Sequence, residues 1–234
     1  MFQKIILNVD NMFEKISNSY EFEDITKGRK GCTIADYSNN IPLVRTTTIY
    51  KNKTQQFNKY IYEIINEIKK TNNNILLNNA LLEIYDNNYK KMKYHSDQLL
   101  DIKDNSFICV FSCYNNNYNR KLVIKNKNNG IINEIIMENN SVIIFDTKTN
   151  KEYLHKIVLQ NNNESKWLGL TFRLSNTFIK FINKKPYIYS TELILANDEQ
   201  KKEFFRLRKE ENKNINYNYP LINYTISPGD LFNG

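Results

Sequence analysis

Only two histidines, one tryptophan, three cysteines, four prolines and six glycines occur in the 234 residues. The cysteines, Cys32, Cys109 and Cys113, are odd in number and lack Cys-x-x-Cys spacing, which argues against a disulfide framework. Cys109 and Cys113 lie an even number of residues apart in a strand-like run and read as small core residues. A reducing, intracellular compartment is therefore expected, cytoplasmic or, for a eukaryotic or viral-host protein, nuclear. No run approaches 18 apolar residues, and the N-terminus lacks the apolar core of a signal peptide. Neither membrane spanning nor secretion is expected. With Gly and Pro scarce and Asn abundant, Asn should fill turn positions that need left-handed backbone.

What is present excludes wholesale disorder: 41% of residues are hydrophobic and 13% aromatic. At 27.9 kDa the chain can bury one substantial core. The formal charge is +8 and unevenly placed. Residues 27–70 carry nine Lys/Arg against three Asp/Glu, and residues 89–125 carry seven against three. Such basic segments suit a polyanionic partner, nucleic acid among them, through counterion release. A Lys-rich solvated surface arising from A/T-rich codons has the same composition. Nothing in the sequence fixes the oligomeric state.

Residues 1–40 read as a polar, partly helical N-terminal extension. Ile41–Tyr50 is rich in β-branched residues and reads as a strand. From Thr54 to Lys70, Phe57, Tyr60, Ile61, Ile64, Ile65 and Ile68 recur at helical spacing, an amphipathic helix that should lie across a sheet. The period then changes to two. Ile75–Tyr85, Ser106–Tyr114, Arg120–Lys125, Ile131–Met137, Ser141–Asp146, Glu152–Leu159 and Trp167–Ile182 follow, with Asn128-Asn129-Gly130 as a hairpin signal. Many short strands with no intervening helices predict a β-sandwich or jelly roll. A charged helix around Asp198–Glu211 reads as a cap without chemistry, followed by an extended tail. The expected organisation is thus an extension at 1–40, a core at 41–182 with a lid or helix at 41–74, and a helical cap and tail at 183–234.

The two histidines lie where chemistry could use them. In extended chain, residues i and i+2 point to one side, so His95 and Asp97 can present an imidazole and a carboxylate to one point. His155 is the single polar group on its face of a strand, among Tyr153, Ile157 and Leu159. It reads either as a third ligand or as a core histidine bonded to backbone. Two histidines and a carboxylate would form a face that suits non-haem Fe(II) and oxygen chemistry. Sorted by parity, Trp167–Phe178 shows one face of Leu168, Leu170, Phe172, Leu174 and Phe178. The other is Trp167, Gly169, Thr171, Arg173, Ser175 and Thr177. Arg173 among hydroxyls offers forked donors for a carboxylate, or is an exposed surface arginine.

His95-Ser96-Asp97, His155 and Arg173 follow one another in an order that resembles the 2-oxoglutarate/Fe(II)-dependent dioxygenases, most of all their AlkB-like branch. Tyr85 before the metal motif, Tyr153-Leu154-His155-Lys156-Ile157, and Leu170-Thr171-Phe172-Arg173 carry the likeness. The last is similar to the end of that branch's Arg-x-Asn-x-Thr-x-Arg signature. The resemblance implies a mainly β (α+β) protein with a double-stranded β-helix (jelly roll) core and flanking N-terminal and C-terminal helices. It implies that His95, Asp97 and His155 ligate Fe(II), and that Arg173 binds a carboxylate of 2-oxoglutarate with Ser175 or Thr171 assisting. Tyr85 would donate a hydrogen bond to that co-substrate, with O2 as the other. The implied activity is hydroxylation or oxidative demethylation, with alkylated nucleobases in DNA or RNA as one substrate class. The basic segment 27–70, with Arg45 and the Thr54–Lys70 helix, would be the lid that holds a phosphate backbone.

The chain departs from that pattern at three places. Trp167 stands where the first signature arginine is expected and Gly169 where the asparagine is, so one expected guanidinium is missing. The family's Asn-x-Tyr is Glu83-Ile84-Tyr85 here. Two alternatives follow: hydroxylation of a protein side chain or small metabolite, and a non-catalytic jelly-roll binding module.

Overall fold

The computed structural model describes residues 1–90, 92–161 and 164–233. Lys91, counted in the basic segment 89–125, lies outside them. From the N-terminus run β1 (Gln3–Ile6), α1 (Met12–Ser17), β2 (Glu23–Thr26), β3 (Arg29–Ala35), β4 (Asn40–Leu43), β5 (Gln55–Gln56) and α2 (Lys59–Thr71). Next come β6 (Asn79–Tyr85), β7 (Phe107–Tyr114), β8 (Arg120–Asn126), β9 (Ile132–Met137) and β10 (Ser141–Asp146). A short α3 (Thr147–Glu152) leads into β11 (Tyr153–Leu159), followed by β12 (Trp167–Arg173) and β13 (Thr177–Ile182). The chain closes with β14 (Lys185–Ile188), β15 (Thr191–Glu192), β16 (Ile194–Leu195), α4 (Asp198–Lys213) and β17 (Tyr224–Thr225).

An eight-stranded sheet runs β1-β10-β7-β12-β6-β3-β2, with β5 added beside β3. β12 lies at its centre, antiparallel to β6 and β7. Parity decides what each face meets. Leu168, Leu170 and Phe172 join Cys109, Cys113, Leu82 and Ile34 in a core roofed by α1 and α2. The helix contributes Ile61, Ile64, Ile65 and Ile68, and burial of each such side chain is worth about 1.5–3 kcal/mol. Asn58 caps it by accepting from the N–H groups of Tyr60 and Ile61. The opposite face of the large sheet gives Tyr85, Val110, Tyr114 and Trp167 to a second core. Leu122, Ile124 and Ile157 of a smaller sheet, β11-β8-β9, complete that core. A four-stranded sheet, β15-β14-β13-β4, and the parallel pair β16-β17 finish the structure.

Several expectations need correction. Residues 1–40 are not an appendage, because β3 pairs with β6 along its whole length and β1 forms the opposite edge on β10. Ile41–Tyr50 is not one strand: β4 stops at Leu43, where Arg45 turns inward to bond Asp101 through both its main-chain N–H and its guanidinium. Trp167–Ile182 is two strands. After Arg173 the chain leaves β6 and bonds residues 101–103 instead, with Lys103 donating to the Leu174 carbonyl and Asn176 to that of Asp101. A helix does interrupt the strands, α3, whose N–H at Thr149 is capped by the Asp146 carboxylate at 2.7 Å. α2 is not a lid, since it lies on the face of the large sheet opposite the second core. As expected, Asn11, Asn105, Asn140 and Asn183 occupy left-handed backbone, φ 50° to 56°. No helix among the described residues is long and apolar enough to cross a membrane.

Candidate metal centre

His95 and His155 face one another across an isolated antiparallel bridge. The His95 N–H donates to the His155 carbonyl at 3.0 Å, and the reverse bond is 2.6 Å. Residues so paired point their side chains to one face, so the rings lie side by side with centroids 4.6 Å apart. Asp97, two residues on, returns to that face, and its Oδ1 is 3.8 Å from the His155 Nε2. Ligand atoms of His95, Asp97 and His155 all lie within 4.8 Å of one another.

Their protonation suits a cation. The His95 Nδ1 is 3.0 Å from the Lys93 carbonyl, which can only accept, so the proton sits there and Nε2 keeps its lone pair. Burial lowers the pKa of both imidazoles, that of His155 to about 3. Burial alone would raise Asp97, but the Arg173 guanidinium, aided by the neighbouring imidazoles and Arg208, takes it down to about 2. Two neutral imidazoles and an ionised carboxylate are the forms that bind metal, so no proton need be displaced near neutral pH. Donor set and charge both fit Fe(II).

Arg173 is 5% exposed, with Nη2 3.2 Å and Nε 3.3 Å from the Asp97 Oδ2. Its Nη1 is buried without a partner. An unsatisfied buried donor of this kind costs about 1–3 kcal/mol and would be relieved by a ligand carboxylate. A cavity of about 270 Å³ opens here, lined by the triad, Arg173, Thr171 and Tyr85 among others.

The loop carrying the ligands is held from two sides that the sequence did not disclose. Asn150 of α3 accepts from the Asp97 N–H at 2.7 Å and donates to its carbonyl at 2.8 Å. Across the loop, α4 supplies Arg208 to the Ser96 carbonyl, Asn212 to the Ser96 N–H and Glu211 to the Leu99 N–H. The helix read as a cap without chemistry therefore sets the ligand backbone. Its only sequence signal is Arg208-x-x-Glu211, a pair with the spacing of any exposed helical ion pair.

Two expected site residues are placed differently. Ser175 does not line the cavity: its hydroxyl is engaged by the Leu43 carbonyl at 2.5 Å and the Thr177 carbonyl at 2.8 Å. Tyr85 lines the cavity, but its phenol donates to Glu83 at 2.5 Å rather than into the open space. Arg29 bonds the other oxygen of Glu83, so Arg29, Glu83 and Tyr85 form a polar wall away from the triad. Arg29 and Glu83 were not anticipated. The basic segments also lose cations to the interior: Arg45 is 2% exposed and Arg120 fully buried, donating to the Asp86 and Tyr89 carbonyls.

The fold of this chain resembles that of OsALKBH1, an AlkB-like protein, with a TM-score of 0.52 and 13% identity, over 74% of this chain and 97% of that one. The fold is the double-stranded β-helix. A Pseudomonas putida prolyl-4-hydroxylase aligns at a TM-score of 0.44 and 11% identity, over 75% of this chain and 93% of that one. No protein-family model and no curated protein matches the sequence. The likeness to OsALKBH1 is one of fold, and the His-Asp-His cluster is read from this chain's own geometry.

Proposed function

We propose that the chain is an Fe(II)- and 2-oxoglutarate-dependent dioxygenase. The observation that carries this reading is the His95–Asp97–His155 cluster beside the unpartnered Nη1 of Arg173 at one end of the cavity. Iron bound there with a 2-oxo acid and O2 supplies oxidative decarboxylation coupled to hydroxylation of a C–H bond. The protein's own groups prepare the place. His95, Asp97 and His155 would hold the ion, and Arg173 would keep Asp97 ionised while its free donor takes the keto-acid carboxylate. Val110, Leu122 and Ile157 line the same cavity and limit water.

For the primary substrate, the proposed class is an alkylated nucleobase, presented from a single strand or flipped out of a duplex. Lys93 and Tyr89 at the cavity would meet backbone and base. A protein side chain or small metabolite is the second reading, favoured by the inward turn of Arg45 and Arg120, which leaves fewer cations for a phosphate backbone. Succinate release should be measured with methylated oligonucleotides, unmodified oligonucleotides, peptides and small metabolites. Release confined to methylated oligonucleotides and falling steeply with salt supports the nucleobase. Salt-insensitive release with a peptide or metabolite supports the second reading. No release from any substrate, with no keto acid bound, leaves a binding module.

A further inference from the structure

The wall of the cavity remote from the triad also bears a guanidinium, that of Arg29 on β3. Strand register aligns Arg29 of β3, Tyr85 of β6 and Trp167 of β12 in one row across the large sheet. Trp167 fills the place where an arginine was expected, and Gly169 lets it do so: a Cβ at 169 would fall inside the indole ring. The cation of this row is therefore Arg29, two strands away.

Arg29 does not stay in its own row. Its Nε donates to the Glu83 Oε1 at 2.6 Å and its Nη2 to the Thr48 hydroxyl at 2.9 Å, a lean toward the row of Arg173. Glu83 has Gly31 beside it on β3 and Gly169 beside it on β12, so neither neighbour in its row projects a side chain of its own. Arg173 pairs with Asn79, six residues along β6 from the Tyr85 row, a backbone separation of about 20 Å. Arg29 and Arg173 line one cavity of about 270 Å³, so a short dicarboxylate held there would have a guanidinium available to each of its ends. The lining is cationic to match: Arg29, Lys93, Arg173 and Arg208 outnumber Glu83 and Asp97.

Resting on the dioxygenase reading, we propose that Arg29 anchors the distal carboxylate of the keto acid, and that Glu83 sets the strength of that anchor by sharing the guanidinium. Arg173 takes the end next to the metal. Arg29 thereby makes the site select a dicarboxylate over a monocarboxylate of equal length. Glu83 holds the guanidinium and Tyr85 in place while opposing the incoming charge.

The test compares 2-oxoglutarate with 2-oxopentanoate, which lacks only the distal carboxylate. Each is titrated anaerobically into the Fe(II)-loaded protein, and binding is read from the visible charge-transfer band and by calorimetry. The wild type should prefer 2-oxoglutarate by roughly tenfold to a hundredfold, the worth of a charge-assisted hydrogen-bond pair. Arg29→Gln should erase the preference while leaving 2-oxopentanoate binding unchanged. Glu83→Gln should widen it. Arg29→Gln/Glu83→Gln, which leaves no unpaired buried charge, should again show none. Arg173→Gln should weaken both ligands alike. A wild type that binds both keto acids equally, an Arg29→Gln protein that keeps the preference, or a Glu83→Gln protein that narrows it would overturn the assignment of Arg29 without touching the dioxygenase reading. Failure of both keto acids to bind the iron-loaded wild type would remove that reading and this one together.

Discussion

The two faces of β12 answer to opposite demands. Leu168, Leu170 and Phe172 are sealed beneath α1 and α2, where any apolar group of suitable volume would serve. Thr171 and Arg173 on the other side line the cavity, where Arg173 is buried with two nitrogens on Asp97 and the third unpaired. One face holds the protein together, whereas the other keeps a partly unsatisfied charge that only a ligand would complete. Stability and function are thus separable along a single strand, and substitutions should divide accordingly.

The largest effect expected is at His155. Its replacement by alanine should take succinate release to background while thermal unfolding moves little, because the imidazole has a buried nitrogen without a partner. A large fall in melting temperature would mean that His155 belongs to the core instead. On the opposite face, Phe172→Ala should cost about 3–5 kcal/mol in denaturant unfolding, with iron affinity of the folded fraction preserved. Loss of iron binding without loss of stability would break the division of faces.

Arg208→Met should give a smaller effect, roughly a tenfold to hundredfold loss of iron affinity by equilibrium dialysis, in line with other groups that orient metal ligands. Unchanged affinity would return α4 to a structural cap. A separate effect, on stability alone, concerns Asp230, buried beside Arg45 and Asp101 and bonded by the Thr225 hydroxyl. Burial raises its pKa from 3.8 to about 7. A group whose folded pKa is raised favours the folded state while protonated, so its contribution is full below about pH 4 and is lost as pH rises through about 7. Asp230→Asn should flatten this part of the stability profile relative to wild type, measured by denaturant titration at several pH values. Parallel profiles would refute the raised value.

The helix-covered face was legible because burial of apolar groups leaves a period in the sequence: α2, β6, β7, β10 and the first half of Trp167–Ile182 follow from it. The cavity face was legible only where residue types are rare. Two histidines in the whole chain made His95 and His155 conspicuous, and an arginine within a strand marked Arg173. Arg29 and Glu83 left no such mark, since a charge near the end of a strand looks solvated until its neighbours across the sheet are known. Asn150 and Arg208 act through backbone groups of a distant loop, and main-chain hydrogen bonds carry no residue code. Ser175 was misplaced because parity was extended past Arg173, where the strand ends and the side-chain alternation no longer applies.

Anaerobic addition of Fe(II) and 2-oxoglutarate to the wild type and to His155→Ala tests the central claim most directly. The account predicts a visible charge-transfer band that saturates at one iron per chain in the wild type and is missing from His155→Ala. Iron bound by the wild type without the band, or an undiminished band in His155→Ala, would contradict it.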